Sequence, residues 1–377
     1  MTDQPAKERE PDMKPLHTPA FAALPPPLRS LGGTSRRGRQ NLLAITFLGA
    51  MALATAVTRA GTVGHYNGGV MDIRDYAVPD PGFYGMLYNY YYTSSRLNDG
   101  NGNPINSVTI KPGPGPGVTL PVSVNVNIYA LSPALMWVAP WKLDGVKYAT
   151  YIAPSFVNLN PSASISTING SGRNPSASQF GVGDMFVEPV WLGLTLTNWD
   201  FALGYGFYAP VGSYNTSTIT LPIVGSVKYA SPDNTGLGFW TQQFQTSAYW
   251  YPWSDRRMAV MTALTYEINS QNKDFDITPG QTVTLNWGVS EYLPLTKDQK
   301  LLLEVGPLGY DSWQVTHDTG SDASNASVLD QVHAAGVQAG LSCVPWNAAL
   351  NFLYFKEYYA VGRFQGQSFS LNLLFKF

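Results

Sequence analysis

Few residues of this sequence have the spacing of a catalytic centre. The four histidines are His17, His65, His317 and His333, and none of them begins an H-E-x-x-H metal motif. The Gly-x-Ser-x-Gly elbow of many hydrolases is absent. A single cysteine, Cys343, excludes a disulfide within the chain and a cysteine-based metal cage. No local motif brings a nucleophile, a base and an orienting group together. We therefore predict no enzyme, no bound metal and no cofactor.

Two groups of charged residues are candidates for binding or conduction. The first group lies in HYNGGVMDIRDY, ahead of the first predicted strand, and comprises His65, Asp72, Arg74 and Asp75. The second group consists of isolated charges inside apolar segments, namely Asp184, Glu188, Asp200, Glu267, Glu304 and Lys356. A charge on a lipid-facing wall is costly, so we expect most of these side chains to face a lumen or to lie near an interface.

Each group has a structural interpretation and a functional one. The segment before the first strand either folds into the lumen as a plug or constriction, or forms a periplasmic lead-in in which Arg74 pairs with a neighbouring carboxylate. The charges within strands either line a selectivity path or form a structural network across a narrow barrel, and we favour the network. The sequence assigns none of them to a substrate.

The segments that carry these charges have the two-residue period of β-strands. In NWDFALGYGFYAP the larger residues Trp199, Phe201, Leu203, Tyr205 and Phe207 share one face, and small or polar residues share the other. In PVSVNVNIYA, valines alternate with serine and asparagine. The pattern predicts twelve strands, at 83–92, 121–139, 147–158, 184–196, 199–210, 237–251, 257–267, 281–290, 299–310, 329–342, 348–359 and 367–377.

The connections between the predicted strands alternate in length. The long polar connections include 93–120, 159–183, 211–236 and 311–328, and the short turns include WKLDG, PWSDR and VPWN. Outer-membrane barrels have short periplasmic turns, longer external loops and an even strand number. A soluble sandwich with Greek-key connections has no reason to sort its loops by length. The sequence therefore predicts an all-β, transmembrane, antiparallel up-and-down barrel, with a secreted soluble β-protein as the alternative.

The composition agrees with a protein that is apolar outside and polar inside. Charged residues make up 13% of the 377 residues, about half the usual share, and aromatic residues make up another 13%. The clusters YNYYY, YWYPW and YFKEYY lie near predicted strand ends, where aromatic girdles would meet the membrane interface. The formal net charge is −2 and no basic run follows residue 56, so nucleic acid is not an expected partner.

The N-terminal region has the features of an export signal. Arg36, Arg37 and Arg39 precede the apolar run LLAITFLGAMALATA, which is shorter than the roughly 20 residues that a membrane-spanning helix needs. We therefore expect a signal peptide that is cleaved on export. The expected organisation is a disordered extension or misassigned start, the signal peptide, a periplasmic lead-in or luminal plug, and the barrel, at 1–35, 36–56, 57–82 and 83–377.

Two stretches resemble a known family of bacterial outer-membrane proteins. They are GHYNGGVMDIRDYAVPDPGFYGMLYNYYYTSSRLNDGNG (64–102) and GVGDMFVEPVWLGLTLTNWDFALGYGFYAPVGSY (181–214). Their motifs are similar to those of the SphA-like barrels called the MetA-pathway of phenol degradation family, and a weaker resemblance extends to the last strand. The resemblance implies an outer-membrane β-barrel. Some members are encoded with pathways that degrade aromatic or lipid-like compounds, which implies transport of hydrophobic nutrients.

The final stretch, QSFSLNLLFKF, alternates most clearly. The residues expected in its lipid-facing row are Phe369, Leu371, Leu373, Phe375 and Phe377. Such a strand would pair with the first strand and close the barrel, which leaves no free edge. A terminal aromatic residue resembles the signal that the bacterial assembly machinery reads, so Phe377, Phe375 and Leu373 are the predicted assembly signal. Leu374 is apolar on the face expected to be wet and fits this pattern poorly.

These observations favour an outer-membrane channel for the uptake of small hydrophobic or aromatic compounds. Its partners would be outer-membrane lipid, the barrel assembly machinery and the transported solutes. About twelve strands enclose less space than the 16–18 strands of aqueous porins, which favours selective passage. The alternatives are a non-transporting structural or surface-interaction barrel with long Ser/Asn-rich loops and a secreted soluble β-protein.

Overall fold

The structure is a computed structural model. It describes residues 64–110, 118–167, 170–173, 179–221, 225–231, 233–323 and 326–377. The expected N-terminal extension, the expected signal peptide at 36–56 and the first residues of the lead-in lie outside the described residues.

The described residues form strands joined by turns and loops. The strands are β1 (Gly82–Ser94), β2 (Ser107–Ile110), β3 (Val118–Leu143), β4 (Val146–Ala153), β5 (Phe156–Thr167), β6 (Gly170–Arg173), β7 (Gln179–Val182), β8 (Met185–Thr195), β9 (Trp199–Ala209), β10 (Thr216–Leu221), β11 (Gly225–Ala230), β12 (Thr241–Trp250), β13 (Met258–Asn269), β14 (Thr282–Pro294), β15 (Leu301–Gln314), β16 (Gln331–Cys343), β17 (Ala348–Val361) and β18 (Gln367–Lys376). One short 3-10 turn covers Val344–Trp346. Within the described ranges, no helix is both long and apolar enough to cross a membrane.

The strands close into an antiparallel barrel. From β12 to β18 each strand pairs with the next one along the chain, β1 pairs with β18 on one edge, and β1 pairs with β3 on the other. Two residues separate β4 from β5, and both strands pair with β3, so they act as one wall strand. On its other side, β7 pairs with β5 and β8 pairs with β4, so β7 and β8 also act as one wall strand. The wall therefore has twelve strands, which confirms the predicted fold class.

Alternation along the strands separates an apolar outer wall from the lumen. On β9, Trp199 and Phe201 are each 41% exposed and Leu203 is 58% exposed, whereas Ala202 between them is buried. On β18, Leu371 and Leu373 are exposed, and Ser370 and Asn372 are buried. The predicted faces of both strands are correct. The buried polar residues and exposed leucines show that the barrel is apolar on its outside.

Aromatic residues that are neighbours in the sequence point to opposite sides of the barrel wall. The prediction that YNYYY belongs to a membrane girdle is wrong for Tyr88, Tyr90 and Tyr92, which line the lumen, and holds only for the outward position of Tyr91. The physical reason is the two-residue period, which turns alternate members of any aromatic run inward. Consecutive aromatic residues therefore supply both a girdle and a luminal lining.

The lining of the lumen is not uniformly polar. Leu374, which fitted the expected alternation poorly, packs against a buried apolar cluster that includes Met86, Tyr88 and Met136. Val70 and Met71, from the segment that precedes β1, pack against the same cluster. An apolar residue on the inward face of β18 is therefore buried against other side chains, and its burial is favourable.

The connections have the expected parity. The turn between β3 and β4 consists of Asp144 and Gly145, both with positive φ, which is the geometry of a two-residue hairpin that follows the twist of its strands. At the opposite end the connection from β9 to β12 is long and contains the β10–β11 hairpin. We refer to these as the short-turn end and the long-loop end. The segment before β1 joins β1 at the short-turn end.

We predict that Leu203→Arg lowers the free energy of unfolding by about 2–4 kcal/mol, because a charge near the bilayer midplane is poorly solvated. Leu203 lies between outward aromatic pairs at the two ends of β9. The measurement is denaturant unfolding in lipid vesicles. Leu196→Arg, in the exposed turn between β8 and β9 at the short-turn end, is the control and should cost about 0–1 kcal/mol. Equal losses at both positions would contradict a lipid-facing wall.

Candidate functional site

Residues 64–81 lie inside the barrel and contact opposite walls. The Gly69 backbone N–H donates to Asn286 Oδ1 on β14 at 3.4 Å, and the Ile73 N–H donates to Gln338 Oε1 on β16 at 2.9 Å. On the other side of the segment, Lys147 Nζ on β4 donates to the Val78 carbonyl at 3.3 Å. We call residues 64–81 the luminal segment.

The luminal segment has no strand or helix of its own, so wall side chains must satisfy its backbone. The Tyr76 N–H donates to the Tyr249 hydroxyl at 2.9 Å, and that hydroxyl donates to the Ile73 carbonyl at 2.8 Å. Ser247 Oγ donates to the Tyr76 carbonyl at 2.6 Å. Asn372 Nδ2 donates to the Val70 carbonyl at 2.9 Å. The inward polar residues of β12 to β18 thus take the place of secondary-structure hydrogen bonds.

The first residues of the luminal segment are held near the long-loop end. His65 Nε2 lies 2.8 Å from Asp184 Oδ2, and His65 Nδ1 lies 2.7 Å from Thr241 Oγ1. The His65 ring stacks on Tyr208 with 4.7 Å between the ring centres. The Tyr66 N–H donates to Glu267 Oε1 at 2.8 Å. Two predicted residues, His65 and Glu267, therefore meet at this end of the segment.

Asp184 also joins the luminal segment to an external loop. Its carboxylate accepts the backbone N–H of Gly212 at 2.9 Å and that of Leu237 at 2.7 Å. Both residues belong to the connection between β9 and β12. One buried carboxylate therefore holds His65 and both ends of this loop together.

The middle of the luminal segment is held by a buried carboxylate. Asp72 accepts hydrogen bonds from Asn351 Nδ2 at 2.5 Å and from Asn372 Nδ2 at 2.7 Å. The Asp72 N–H donates to Asp75 Oδ2 at 3.2 Å, and the Tyr88 hydroxyl donates to the same oxygen at 3.2 Å. Sequence reasoning singled out the two aspartates and missed the asparagines, whose inward position on alternating strands was the available signal.

Arg74 occupies the lumen near the short-turn end. Its Nε donates to Glu304 Oε1 at 3.0 Å, and its Nη2 donates to the Arg257 carbonyl at 2.6 Å. The guanidinium carbon lies 4.1 Å from the centre of the Tyr292 ring, which adds a cation–π contact. The Arg74–Glu304 pair joins one predicted residue from each of the two groups.

Three predicted residues form no hydrogen bond or ion pair with the luminal segment among the described residues. One of them, Lys356, is exposed on β17. Asp200 pairs with Arg256 and accepts from the Tyr251 hydroxyl at 2.8 Å, close to the short-turn end. Glu188 is buried on β8, and its Oε1 has no hydrogen-bond partner in the protein. Seven predicted residues are thus brought together along one segment, namely His65, Asp72, Arg74, Asp75, Asp184, Glu267 and Glu304. Glu188, Asp200 and Lys356 are not.

The residues of the predicted assembly signal lie along the outward row of β18. Leu373 and Phe377 are exposed, and the rings of Phe375 and Phe377 meet edge to face with 4.8 Å between their centres. The Phe377 N–H donates to the Phe83 carbonyl at 2.9 Å, next to β1. Their role in assembly stays a prediction.

A cavity of about 720 Å³ lies between the luminal segment and the long-loop end. Its wall is mainly aromatic and aliphatic, and its lining includes Tyr90, Tyr92, Ile128, Val157, Phe186 and Tyr208. Loop residues, among them Tyr214 and Phe275, contribute to the lining from the long-loop side. The polar anchors of the luminal segment lie mostly on β12 to β18. Most strand residues that line the cavity come from β1 to β9, and β12, β15, β16 and β17 contribute a few.

A second cavity of about 180 Å³ lies on the short-turn side and is lined by Arg74, Asp75 and Leu374 among others. The two cavities share four lining residues, Met71, Tyr88, Tyr151 and Trp191. We call these four residues the neck. They separate the large cavity from the short-turn end.

The luminal segment leaves the barrel at an ion pair. Lys147 Nζ donates to Asp80 Oδ1 at 3.1 Å, with the lysine buried and the aspartate largely exposed. The hydrogen bond and the positive charge of Lys147 lower the pKa of the Asp80 carboxyl below its usual value. Asp80 therefore stays ionised at neutral pH and keeps its contact with the wall.

Among the described residues, no group of three or more His, Cys, Asp or Glu side chains is arranged to hold a metal ion.

The comparison with protein families agrees with this geometry. The model of the family described as the MetA-pathway of phenol degradation matches residues 94–373. The chain belongs to this family. The match covers β2 to β17 and most of β18, so it includes most of the barrel. It leaves out the luminal segment and all of β1 except Ser94. No curated protein sequence matches this family member.

Solved structures with a similar course of the chain include an outer membrane channel and a toluene transporter. The COG4313 outer membrane channel from Pseudomonas putida F1 is 16% identical, with a TM-score of 0.52 over 81% of this chain and 100% of that chain. The Pseudomonas putida toluene transporter TodX is 9% identical, with a TM-score of 0.38 over 85% of this chain and 96% of that chain. The first of these shows that this phenol degradation family member has the fold of an outer-membrane channel.

We predict that Asp72→Ala loosens the luminal segment of this family member, because the amides of Asn351 and Asn372 lose their acceptor. Each unsatisfied buried donor costs about 1–3 kcal/mol. The measurements are single-channel conductance in planar bilayers and proteolysis within residues 64–81, and both should rise. Asn67→Ala, an exposed position of the same segment, is the control. Unchanged conductance and proteolysis in Asp72→Ala would show that the acceptor does not hold the segment.

Proposed function

We propose that this protein is an outer-membrane channel for the uptake of small hydrophobic or aromatic compounds. The observation that carries the proposal is the large aromatic-lined cavity inside a closed barrel. Its volume of about 720 Å³ falls within the roughly 300–1,000 Å³ that is usual for small-molecule sites. A barrel with a purely structural role gains nothing from an apolar cavity of this size, which lowers its stability.

The chemistry of the lining selects the solute class. Side chains such as Ile128, Val157 and Phe186 offer dispersion contacts, and the tyrosines offer ring edges and faces. The large cavity therefore suits solutes with one or a few rings or a short hydrocarbon chain. Sugars and ions would leave many polar groups unpaired there.

The luminal segment is the proposed gate. It lies across the passage from the large cavity to the short-turn end, and the neck closes the space beside it. Arg74, Asp72 and His65 hold it through side-chain contacts with separate wall strands, so it can move as a unit without breaking the barrel. Passage then requires displacement of Met71 or rotation of a neck ring, which favours small solutes over bulk water.

The orientation and the route to the membrane are part of the same proposal. Short turns of outer-membrane barrels face the periplasm, so the large cavity would open toward the outside and the neck toward the periplasm. The expected signal peptide and the outward row of β18 with Leu373, Phe375 and Phe377 support export and recognition by the assembly machinery. We propose no catalytic step, because holding the luminal segment and lining the cavity account for the side chains described above.

We predict that Met71→Trp reduces uptake several-fold, because an indole at this position fills the neck. The measurement is accumulation of radiolabelled toluene at low external concentration in cells that lack the chromosomal copy and express each variant. Met71→Ala widens the neck, so its uptake should equal or exceed that of the wild type. Leu264→Trp adds the same ring on the lipid-facing wall of β13 and serves as the matched control.

The outcomes separate transport from a structural role. Uptake that is the same with and without the protein, together with no conductance in planar bilayers, would support a non-transporting barrel. Recovery of the folded protein without detergent would contradict the membrane assignment altogether.

A further inference from the structure

The hydrogen bonds around His65 determine which of its ring nitrogens carry hydrogen. His65 Nδ1 lies 2.7 Å from Thr241 Oγ1, and the Thr241 hydroxyl donates its hydrogen to Asn269 Oδ1 at 2.6 Å. The orientation of the Asn269 amide is fixed in turn, because its Nδ2 donates to the Gly280 carbonyl at 2.9 Å. The single hydrogen of the Thr241 hydroxyl is thus already used, so this oxygen can only accept from His65. His65 Nδ1 therefore carries a hydrogen.

The second ring nitrogen of His65 faces a carboxylate. His65 Nε2 lies 2.8 Å from Asp184 Oδ2. The same carboxylate accepts the backbone N–H of Gly212 at 2.9 Å and that of Leu237 at 2.7 Å. A group that accepts from two N–H donors suits an ionised carboxylate, so the hydrogen between Asp184 and His65 belongs to His65. With a hydrogen on each ring nitrogen, His65 is an imidazolium and forms a charged pair with Asp184.

This charged pair is shielded from water. The side chains of His65 and Asp184 are 4% and 5% exposed. The His65 ring stacks on Tyr208 with 4.7 Å between ring centres and meets Phe239 at 5.0 Å in an edge-on contact. Tyrosine and phenylalanine rings carry no charge near neutral pH, so these contacts leave the charge of the imidazolium to the nearby carboxylates.

Glu267 on β13 is the second carboxylate close to His65. It accepts the N–H of the next residue, Tyr66, at 2.8 Å, and a Cβ built on the preceding residue, Gly64, would lie 1.9 Å from Glu267 Oε2. Among the described residues, no lysine or arginine forms an ion pair with Asp184 or Glu267. The proton on His65 therefore supplies the positive charge that offsets two buried carboxylates.

The His65–Asp184 pair connects three parts of the protein. His65 belongs to the luminal segment, and Asp184 precedes β8 in the wall. Gly212 and Leu237, which donate to Asp184, lie near the two ends of the external loop between β9 and β12. Any change that breaks this pair therefore loosens the luminal segment and the external loop at the same time.

Loss of one proton from His65 is such a change. A neutral imidazole has one N–H, so its other nitrogen would direct a lone pair at either Thr241 Oγ1 or Asp184 Oδ2, neither of which has a hydrogen to donate. The buried carboxylates would also lose their counter-charge, which is costly. Both effects weaken the attachment of the luminal segment at the long-loop end.

We propose that the His65–Asp184 pair is a proton-dependent latch, which holds the luminal segment and the external loop together while His65 carries its second proton and releases both when that proton is lost. The inference rests on the proposed function, because it assigns the regulation of the same gate. The protonated form is the closed form, so the channel opens as the pH rises.

The test measures single-channel conductance of the full-length barrel in planar bilayers between about pH 5 and about pH 9, a range that brackets the titration of most histidine side chains. The open fraction of the wild type should rise at least about tenfold toward the alkaline end, the effect of one lost hydrogen bond to a charged group. In His65→Gln the open fraction should be high at every pH, because an amide does not titrate. In Thr241→Val the rise should be smaller, because valine leaves no lone pair opposite an unprotonated Nδ1.

His333→Gln is the matched control. His333 also pairs with a carboxylate, that of Asp311, at 2.7 Å, but it lies on the outward face of β16 between the buried Val332 and Ala334. This variant should keep the pH dependence of the wild type.

Proteolysis provides a readout that does not depend on conduction. At each pH, cleavage of the wild type and of His65→Gln is compared with that of His333→Gln, which cancels the pH dependence of the protease. Cleavage within residues 64–81 and next to Gly212 or Leu237 should rise together with pH in the wild type, and neither should change with pH in His65→Gln. Nitrogen-15 NMR of histidine-labelled protein, with the His65 signals assigned by their loss in His65→Gln, should show an imidazolium at the acidic end of the range.

The possible failures differ from one another. If conductance and cleavage of the wild type do not change with pH, or if His65→Gln keeps the pH dependence, the latch is wrong and the channel proposal stands. A neutral His65 ring at about pH 5 would also overturn the latch. If both cleavages rise with pH but no conductance is seen at any pH, the latch stands and the channel proposal fails. A heat-modifiable gel shift confirms that each variant is folded, and Thr241→Val keeps the test open if His65→Gln does not fold.

Discussion

The need to pair buried backbone polar groups governs this structure at two levels. In the wall, closure through the β1–β3 and β1–β18 pairings leaves no edge strand to face the lipid. In the lumen, an irregular segment can lie at membrane depth only because wall side chains accept and donate in place of a ladder. Asn286, Gln338 and Asn372 perform this role, each from a different strand.

This pairing makes the lumen asymmetric. The luminal segment lies against the strands from β12 to β18, and inward polar residues of these strands form hydrogen bonds with it. The wall from β1 to β8 makes fewer polar contacts with the luminal segment, among them those of Lys147 and Tyr88. Its inward residues along the large cavity are mainly aromatic and aliphatic. The large cavity and the neck follow from that division. A barrel of twelve strands with the segment removed would have a wider lumen and no constriction.

Much of the fold was predictable because side chains along a strand alternate between the lipid-facing side and the lumen, and residue type follows that alternation. The alternation in β9 and β18 identified the lipid-facing rows, and the parity of loop lengths identified the two ends. Tyr88, Tyr90 and Tyr92 were assigned to the wrong side of the wall. In a cluster made almost entirely of tyrosines, residue type does not show which positions face the lipid and which face the lumen. The charges of HYNGGVMDIRDY were recognisable as unusual, but their partners Asn351 and Thr241 are ordinary inward polar residues of distant strands.

The barrel, its strand number, its apolar exterior and the charged segment ahead of β1 are predictable from the amino-acid sequence, because they depend on local period and composition. The position of this segment inside the barrel, and the contacts of Asp72 with Asn351 and Asn372, emerge only from the three-dimensional arrangement. Those contacts join residues far apart in the chain. They depend on barrel closure and register, which bring inward faces together and which no local pattern encodes.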